Sequence, residues 1–266
     1  MFTDSHTHLN NSAFDTDKED VIGAAFLAGV TRMVEIACSP AEWRNAIDLA
    51  KKYPGRIFCA CGLHPHDCTE YGPEQENILK KLFAEENIKA LGEIGLDYAK
   101  KYHPAEIQKE TFLKMLKLTR EIKKPLVIHC RNGNLPEDNA YADLIEILKN
   151  NWAASQNYHP GVFHCFSGSL EDAKQAADMG FLLGINGTIT YPKNNDLRET
   201  VKTLGLKRII LETDCPYLPP QSIRGKRNDP SRIPEIAGAL TTIFGKPLKE
   251  IAETTTLNCK ELFGWS

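Results

Sequence analysis

The sequence predicts an α/β protein in which eight parallel strands and their helices close into a (β/α)8 TIM barrel. Eight short apolar runs recur along the chain, and a segment with helical apolar spacing follows each of them. The length of 266 residues also matches a single barrel of roughly 250 residues. An open doubly wound sheet is the competing arrangement. However, no G-x-G-x-x-G turn follows the first strand, and the polar residues do not cluster at one switch point.

The predicted strands are short apolar runs that are bounded by turn-forming residues. Phe2 begins the first strand, and the chain then enters a turn at Asn10 and Asn11. The predicted strands are residues 2–5, 33–37, 57–62, 90–94, 126–129, 161–166, 181–185 and 208–212.

The predicted helices follow the strands, and glycine and proline mark several of their ends. Gly29 is the expected end of the first helix, Pro54 and Gly55 follow the second, and Pro73 opens the third. The long loop 216–230 precedes two closing helices. The predicted helices are residues 17–29, 40–53, 73–86, 105–123, 141–150, 170–179, 196–204, 231–244 and 247–263.

The composition indicates an ordinary globular protein. Apolar residues make up 42% of the chain and charged residues 25%, which argues against a disordered protein. The sequence contains no repeat, low-complexity tract or linker, so one domain over residues 1–266 is expected. Because the net charge is −3, a polyanionic partner must be held by a local basic patch or by metal.

The expected location is the cytoplasm. The N-terminus does not resemble a signal peptide, and no apolar run approaches the roughly 20 residues that span a bilayer. The eight cysteines form no C-x-x-C pair, so they are expected to be reduced thiols. We therefore expect a monomer without membrane contact or an obligate protein partner.

Histidines and acids recur at the ends of the predicted strands. In a barrel these ends converge on one mouth, where active sites lie. His6 and His8 share one face of the first strand because strand side chains alternate. Core packing would favour Val, Ile and Leu at such positions, so the pattern indicates a metal site. The converging residues are His6, His8, His64, Glu93, His129, His164 and Asp214.

Seven motifs carry a family resemblance in addition to these ligands. They are T-D-S-H-T-H-L at 3–9, G-L-H-P-H at 62–66, G-E-I-G-L-D at 92–97, V-I-H-C-R at 127–131, H-C-F-S-G-S at 164–169, L-E-T-D-C-P-Y-L at 211–218 and R-G-K-R-N-D-P at 224–230. Together, and in this order, they resemble the TatD family of metal-dependent hydrolases. Asn10, Asn132 and Cys215 depart from the family pattern, but none of them removes a metal ligand.

The resemblance implies a TIM barrel of the metal-dependent, amidohydrolase-type hydrolase superfamily with a two-metal centre. It also implies DNase activity, often as a 3′-to-5′ exonuclease. His6 and His8 would bind one metal, His129 and His164 the other, and Glu93 would bridge them. Asp214 would contact the first metal and the attacking water.

This chemistry suits a phosphodiester. Two divalent ions roughly 3.5–4 Å apart can activate a water, neutralise the phosphate and stabilise the leaving oxygen. Imidazole donors favour Zn²⁺, Mn²⁺ or Fe²⁺, whereas the resemblance implies that Mg²⁺ often supports activity, so the metal identity stays open between Mg, Mn and Zn. The predicted catalytic residues are Asp214, as the base, with Glu93 and His64.

Substrate contacts are expected from basic residues near the mouth. His64 and Arg131 are predicted to hold the phosphate, the arginine through its bidentate fork. A salt bridge across the barrel rim is the alternative role for Arg131. The basic loop of Arg224, Lys226 and Arg227 is predicted to contact the backbone of DNA, the expected substrate.

Two other functions are compatible with the same ligand set. One is hydrolysis of a small ester, amide or phosphoester, because a metal pair also activates a carbonyl group. The other is a non-catalytic metal-binding or interaction protein. The presence of Asp214 beside an open coordination position argues against this second alternative.

Overall fold

The computed structural model describes residues 1–152 and 159–265. Eight parallel strands form one sheet in chain order, each hydrogen-bonded to the next. A parallel bridge between Thr7 and Cys215 joins the first strand to the segment after the eighth. The sheet is therefore a nearly closed barrel with alternating helices, and the predicted fold class is confirmed.

All eight predicted strands are present. They are β1 (Phe2–Thr7), β2 (Val30–Ala37), β3 (Ile57–Cys61), β4 (Ile88–Asp97), β5 (Leu126–Arg131), β6 (Gly161–Phe163), β7 (Leu182–Ile185) and β8 (Ile209–Leu211). β4 extends three residues past its predicted end because Leu96 and Asp97 still pair with Cys130 and Arg131 of β5. β6 is shorter than predicted, and Cys165 turns away from extended geometry with a φ of 46°.

The predicted helices are also present within the described residues. They are α1 (Lys18–Leu27), α2 (Pro40–Lys52), α3 (Pro73–Leu82), α4 (Ala105–Ile122), α5 (Ala140–Asn151), α6 (Leu170–Asp178), α7 (Asn195–Leu204), α8 (Ile233–Phe244) and α9 (Leu248–Phe263). Proline occupies the first turn of α2 and α3, where its missing N–H has no helical partner to lose. α3 ends at Leu82, whereas the predicted helix continues to residue 86, because residues 83–87 form turns that lead into β4.

Small and branched side chains fill the barrel interior below the mouth. Val34, Ala60, Ala90 and Val127 belong to one buried cluster, which also contains Phe263 at the end of α9 and Trp265 just beyond it. Alternation along each strand then carries the next inward position to the mouth. In β5, for example, the inward residue that follows Val127 is His129. The packed interior therefore lies directly beneath the polar site.

Gly95 allows β4 to pass unusually close to β5. Its φ is 150°, and a Cβ at this position would lie 1.8 Å from the His129 carbonyl oxygen.

We expect Gly95→Ala to lower the free energy of unfolding by about 3 kcal/mol, through backbone strain and overpacking. Urea denaturation measures this change. In the control Gly23→Ala, in α1, the added Cβ meets no atom within 4 Å. This control should shift stability by about 1 kcal/mol at most, towards a more stable fold. An unchanged urea midpoint for Gly95→Ala would contradict the close approach.

Candidate metal centre

A cavity of about 1060 Å³ opens at the carboxyl ends of the barrel strands. Five of the six predicted metal ligands line it, and the sixth, His6, lies fully buried beneath them. The predicted phosphate contacts His64 and Arg131 also line this cavity. The lining ligands are His8, Glu93, His129, His164 and Asp214. The barrel thus brings together residues that are up to 208 positions apart in the chain (214 − 6).

Glu93 stands at the middle of the cluster and contacts histidines on two sides. Its Oε1 lies 2.7 Å from His129 Nδ1 and 2.7 Å from His164 Nε2. Its Oε2 lies 3.3 Å from His6 Nε2. The carboxylate therefore directs Oε1 to His129 and His164 and Oε2 to His6, an arrangement that suits a bridging ligand.

The second group of donors surrounds His6. Its Nε2 lies 3.1 Å from His8 Nε2 and 3.6 Å from Asp214 Oδ1, and His8 Nε2 lies 3.4 Å from the same Asp214 oxygen. The backbone aligns these residues, because Asp214 N–H donates to the His6 carbonyl at 3.0 Å. Buried Asp4 reinforces this alignment by accepting hydrogen bonds from the backbone and hydroxyl of Thr213.

The separations between donor atoms fit metal coordination. Two atoms that are each about 2.1 Å from one ion lie about 3.0 Å apart at a right angle and about 3.4 Å apart at the tetrahedral angle. The His6–His8 contact of 3.1 Å, the His8–Asp214 contact of 3.4 Å and the 3.3 Å between His129 Nδ1 and His164 Nε2 fall in this range. Imidazole nitrogens that face each other so closely need a shared proton or a cation between them.

Burial and mutual contact set the protonation of the donors. Burial lowers the pKa of His6 to about 4, so this ring is neutral and keeps a lone pair. Burial would raise the pKa of Glu93, but the contacts with His164, His129 and His6 outweigh it and hold that pKa well below its usual range. A neutral imidazole beside an ionised carboxylate is the donor state that a divalent cation needs.

Two other histidines hold protons in the metal-free chain. Burial would lower their pKa values, but Asp214 raises the pKa of His8 to about 9, and Asp97 and Glu93 raise that of His129 to about 9. If both rings bind metal, we expect loading at pH 7 to displace about two protons per chain. The apparent metal affinity should rise with pH up to about 9, as both rings lose their protons. Calorimetry of Mn²⁺ binding in buffers of different ionisation enthalpy measures this release, and zero release at pH 7 would contradict it.

Three residues at the centre do not belong to the predicted ligand set. The Cys38 thiol lies 3.4 Å from Glu93 Oε2, and Asp97 Oδ2 lies 3.2 Å from His129 Nε2. Glu212 is fully buried behind His164, with its Oε1 3.8 Å from His164 Nδ1. Burial raises the pKa of Glu212 well above its usual range. Only the position of Cys38, directly after the end of β2, could have indicated from the sequence that it lies at the site.

The predicted basic loop of Arg224, Lys226 and Arg227 differs in its position and ion pairing from the other predicted substrate contacts, His64 and Arg131. Arg227 forms a bidentate ion pair with Asp17, and its guanidinium lies 4.7 Å from the Phe14 ring centroid. Arg224 packs on the Tyr191 ring at 4.5 Å, and Lys226 is exposed. None of these three basic residues is among the described residues that line the cavity. The structure therefore places this loop outside the cavity, with one of its three charges already neutralised.

Comparison of the sequence with known protein families agrees with a metal centre of this geometry. The family described as "TatD related DNase" matches residues 3–264 of the chain. The chain belongs to the TatD family. The predicted resemblance is thus confirmed over nearly the whole length, and the chain is a metal-dependent hydrolase of the TatD type.

Relatives of the TatD family cover the chain almost completely. The uncharacterized metal-dependent hydrolase YabD of Bacillus subtilis strain 168 is 36% identical over 263 residues, which is 99% of each chain. The 3′-5′ ssDNA/RNA exonuclease TatD of Salmonella typhimurium strain LT2 is 29% identical over 266 residues, which is 98% of each chain. The crystal structure of YjjV, a TatD homolog from Escherichia coli K12, matches with a TM-score of 0.88 at 28% identity, covering 100% of this chain and 98% of that one. Within the described residues of this TatD protein, no helix is both long and apolar enough to span a bilayer.

Proposed function

We propose that this chain is a metal-dependent phosphodiesterase that removes nucleotides from the 3′ end of single-stranded DNA. The observation that carries the proposal is the two-sided contact of Glu93, with Oε2 facing His6 and Oε1 facing His129 and His164. The Salmonella relative is named a 3′-5′ ssDNA/RNA exonuclease, which supports the choice of substrate. A centre of two divalent ions, from Mg, Mn or Zn, and a cytoplasmic monomer are parts of the same proposal.

The ligands divide into two sets around Glu93. His6, His8 and Asp214 would hold one ion, and His129 and His164 the other. When bound, such an ion pair lowers the pKa of water and neutralises the charge of a phosphodiester. Separation of the two histidine pairs by one carboxylate supports this division.

Asp214 would accept the proton of the attacking water. It is 8% exposed, so its carboxylate reaches the cavity while its backbone remains fixed to His6. Burial would raise its pKa, but the contacts with His8 and His6 outweigh this effect and lower it, so the carboxylate is ionised and can act as a base.

Basic and neutral donors that follow β3, β4 and β5 would hold the phosphate. Arg131 is exposed at the end of β5, and both Arg131 and Lys100 line the cavity. His64 Nε2 lies 3.6 Å from Glu93 Oε1, and burial followed by the His129 charge holds its pKa well below the usual range. A neutral His64 can donate a hydrogen bond to a phosphate oxygen, while Arg131 supplies the permanent charge. Arg224 and Lys226 would contact the DNA strand only beyond the cavity.

The test is digestion of a single-stranded oligonucleotide labelled at its 5′ end, with Mn²⁺ or Mg²⁺ and with a chelator as control. We expect a ladder that shortens one nucleotide at a time from the 3′ end, and no cleavage with chelator. A parallel assay offers small carboxylic esters, amides and bis(p-nitrophenyl) phosphate. Turnover of esters or amides with an intact oligonucleotide would replace the nuclease proposal with the small-molecule hydrolase. A protein that binds metal but cleaves none of these substrates would support the binding function.

A further inference from the structure

Asp97 is a buried acid at the carboxyl end of β4, and it is only 1% exposed. Its Oδ2 lies 3.2 Å from His129 Nε2 and 3.1 Å from His66 Nε2. Its Oδ1 accepts the backbone N–H groups of Ala99 at 2.8 Å and Lys100 at 3.0 Å. Both carboxylate oxygens therefore contact hydrogen-bond donors. One of these donors, His129, is a predicted metal ligand.

The backbone of Asp97 is held just as firmly as its side chain. Its N–H donates to Gln108 Oε1 at 2.8 Å, and Gln108 Nε2 donates to the Asp97 carbonyl at 3.0 Å. Gln108 is itself 2% exposed and belongs to α4. Asp97 is thus a rigid acceptor at a fixed position beside His129.

His129 presents a different nitrogen to the centre from the other three histidines. His6, His8 and His164 direct Nε2 towards the carboxylates, whereas His129 directs Nδ1 towards Glu93. A neutral imidazole has one lone pair, so Nδ1 can bind a metal only when the ring proton is on Nε2. The Asp97 carboxylate accepts a hydrogen bond from Nε2–H and disfavours the opposite tautomer.

We propose that Asp97 is a positioning residue that fixes the tautomer and ring orientation of His129 for metal binding through Nδ1. The inference rests on the proposed metal centre and adds a residue to it. Carboxylates that accept the second N–H of a ligating histidine typically contribute 10–100-fold in metal affinity. His66 shares the same carboxylate oxygen but contacts it from the exposed side, so it is a neighbour of this pair and not required for it.

The variant Asp97→Asn tests the proposal by metal affinity. An amide can keep its oxygen on the Ala99 and Lys100 N–H groups, and its NH₂ then faces His129 Nε2 and favours the wrong tautomer. Chelator competition with Mn²⁺ should show one ion bound about 10–100-fold more weakly and the other within about threefold of the unmodified chain. The control His66→Gln, which leaves the Asp97–His129 contact in place, should keep both affinities within about threefold. Unchanged binding of both ions to a folded Asp97→Asn protein would overturn the proposal.

A second measurement needs no mutation and covers the case in which Asp97→Asn fails to fold. Long-range ¹H–¹⁵N spectra of the histidine rings in the Zn²⁺-loaded chain should show His129 protonated at Nε2. A proton on His129 Nδ1 would overturn the proposal. Both readouts report metal and proton positions and not turnover. Failure of the oligonucleotide digest would therefore reject the proposed substrate and leave the role of Asp97 to be decided by these two results.

Discussion

Replacing Glu93 with glutamine is expected to reduce hydrolytic turnover by about 10³-fold and to weaken the binding of both metal ions. The ionised carboxylate directs Oε1 to His129 and His164 and Oε2 to His6. An amide keeps one oxygen and turns an NH₂ group towards one histidine pair, where a lone pair is needed. Loss of several kcal/mol of metal-based stabilisation corresponds to roughly 10³ in rate, because each 1.4 kcal/mol is tenfold.

Metal content after dialysis and turnover of bis(p-nitrophenyl) phosphate measure the two effects of Glu93→Gln. The control is Glu146→Gln, which removes the same charge from an exposed position on α5. This control should keep full metal content and turnover. If Glu93→Gln retained both ions and more than about a tenth of the turnover, the bridging position of Glu93 would be wrong.

The second large effect is expected for Asp214→Asn. Asp214 faces the cavity beside His8, and an asparagine there cannot accept the proton of the attacking water. General-base catalysis typically contributes 10²–10⁴-fold, so we expect kcat to fall by about 10³-fold. KM should change by about threefold or less, because the predicted phosphate contacts His64 and Arg131 remain.

Steady-state kinetics on a single-stranded oligonucleotide, at metal concentrations that saturate the variant, separate these two constants. Asp178→Asn, an exposed change on α6, is the matched control and should leave both unaltered. Oligonucleotide cleavage at an undiminished rate by Asp214→Asn would remove Asp214 from the catalytic role.

The position of the site followed from the sequence because barrel geometry is regular. Parallel strands of similar length end at one rim, so a histidine or acid after an apolar run indicates the mouth without any knowledge of contacts. His129 and His164 illustrate this, since each is the next inward position after a buried valine, Val127 and Val162. The convergence of these candidate ligands at the barrel mouth could therefore be predicted from strand ends.

The contacts around that set could not be predicted in the same way. Asp97 lies three residues beyond the apolar run that indicated β4, and only pairing with β5 shows that the strand continues to it. The ion pair of Arg227 with Asp17 joins residues 210 positions apart (227 − 17). A local run of basic residues gave no indication of this partner. Both features depend on how distant elements pack and not on local periodicity.

The most direct test of the metal centre is anomalous diffraction from crystals of the chain soaked in Mn²⁺. We predict two anomalous peaks, one beside His6, His8 and Asp214 and one beside His129 and His164, with Glu93 between them. An absence of peaks at Glu93, or peaks only at surface acids, would contradict the proposed centre.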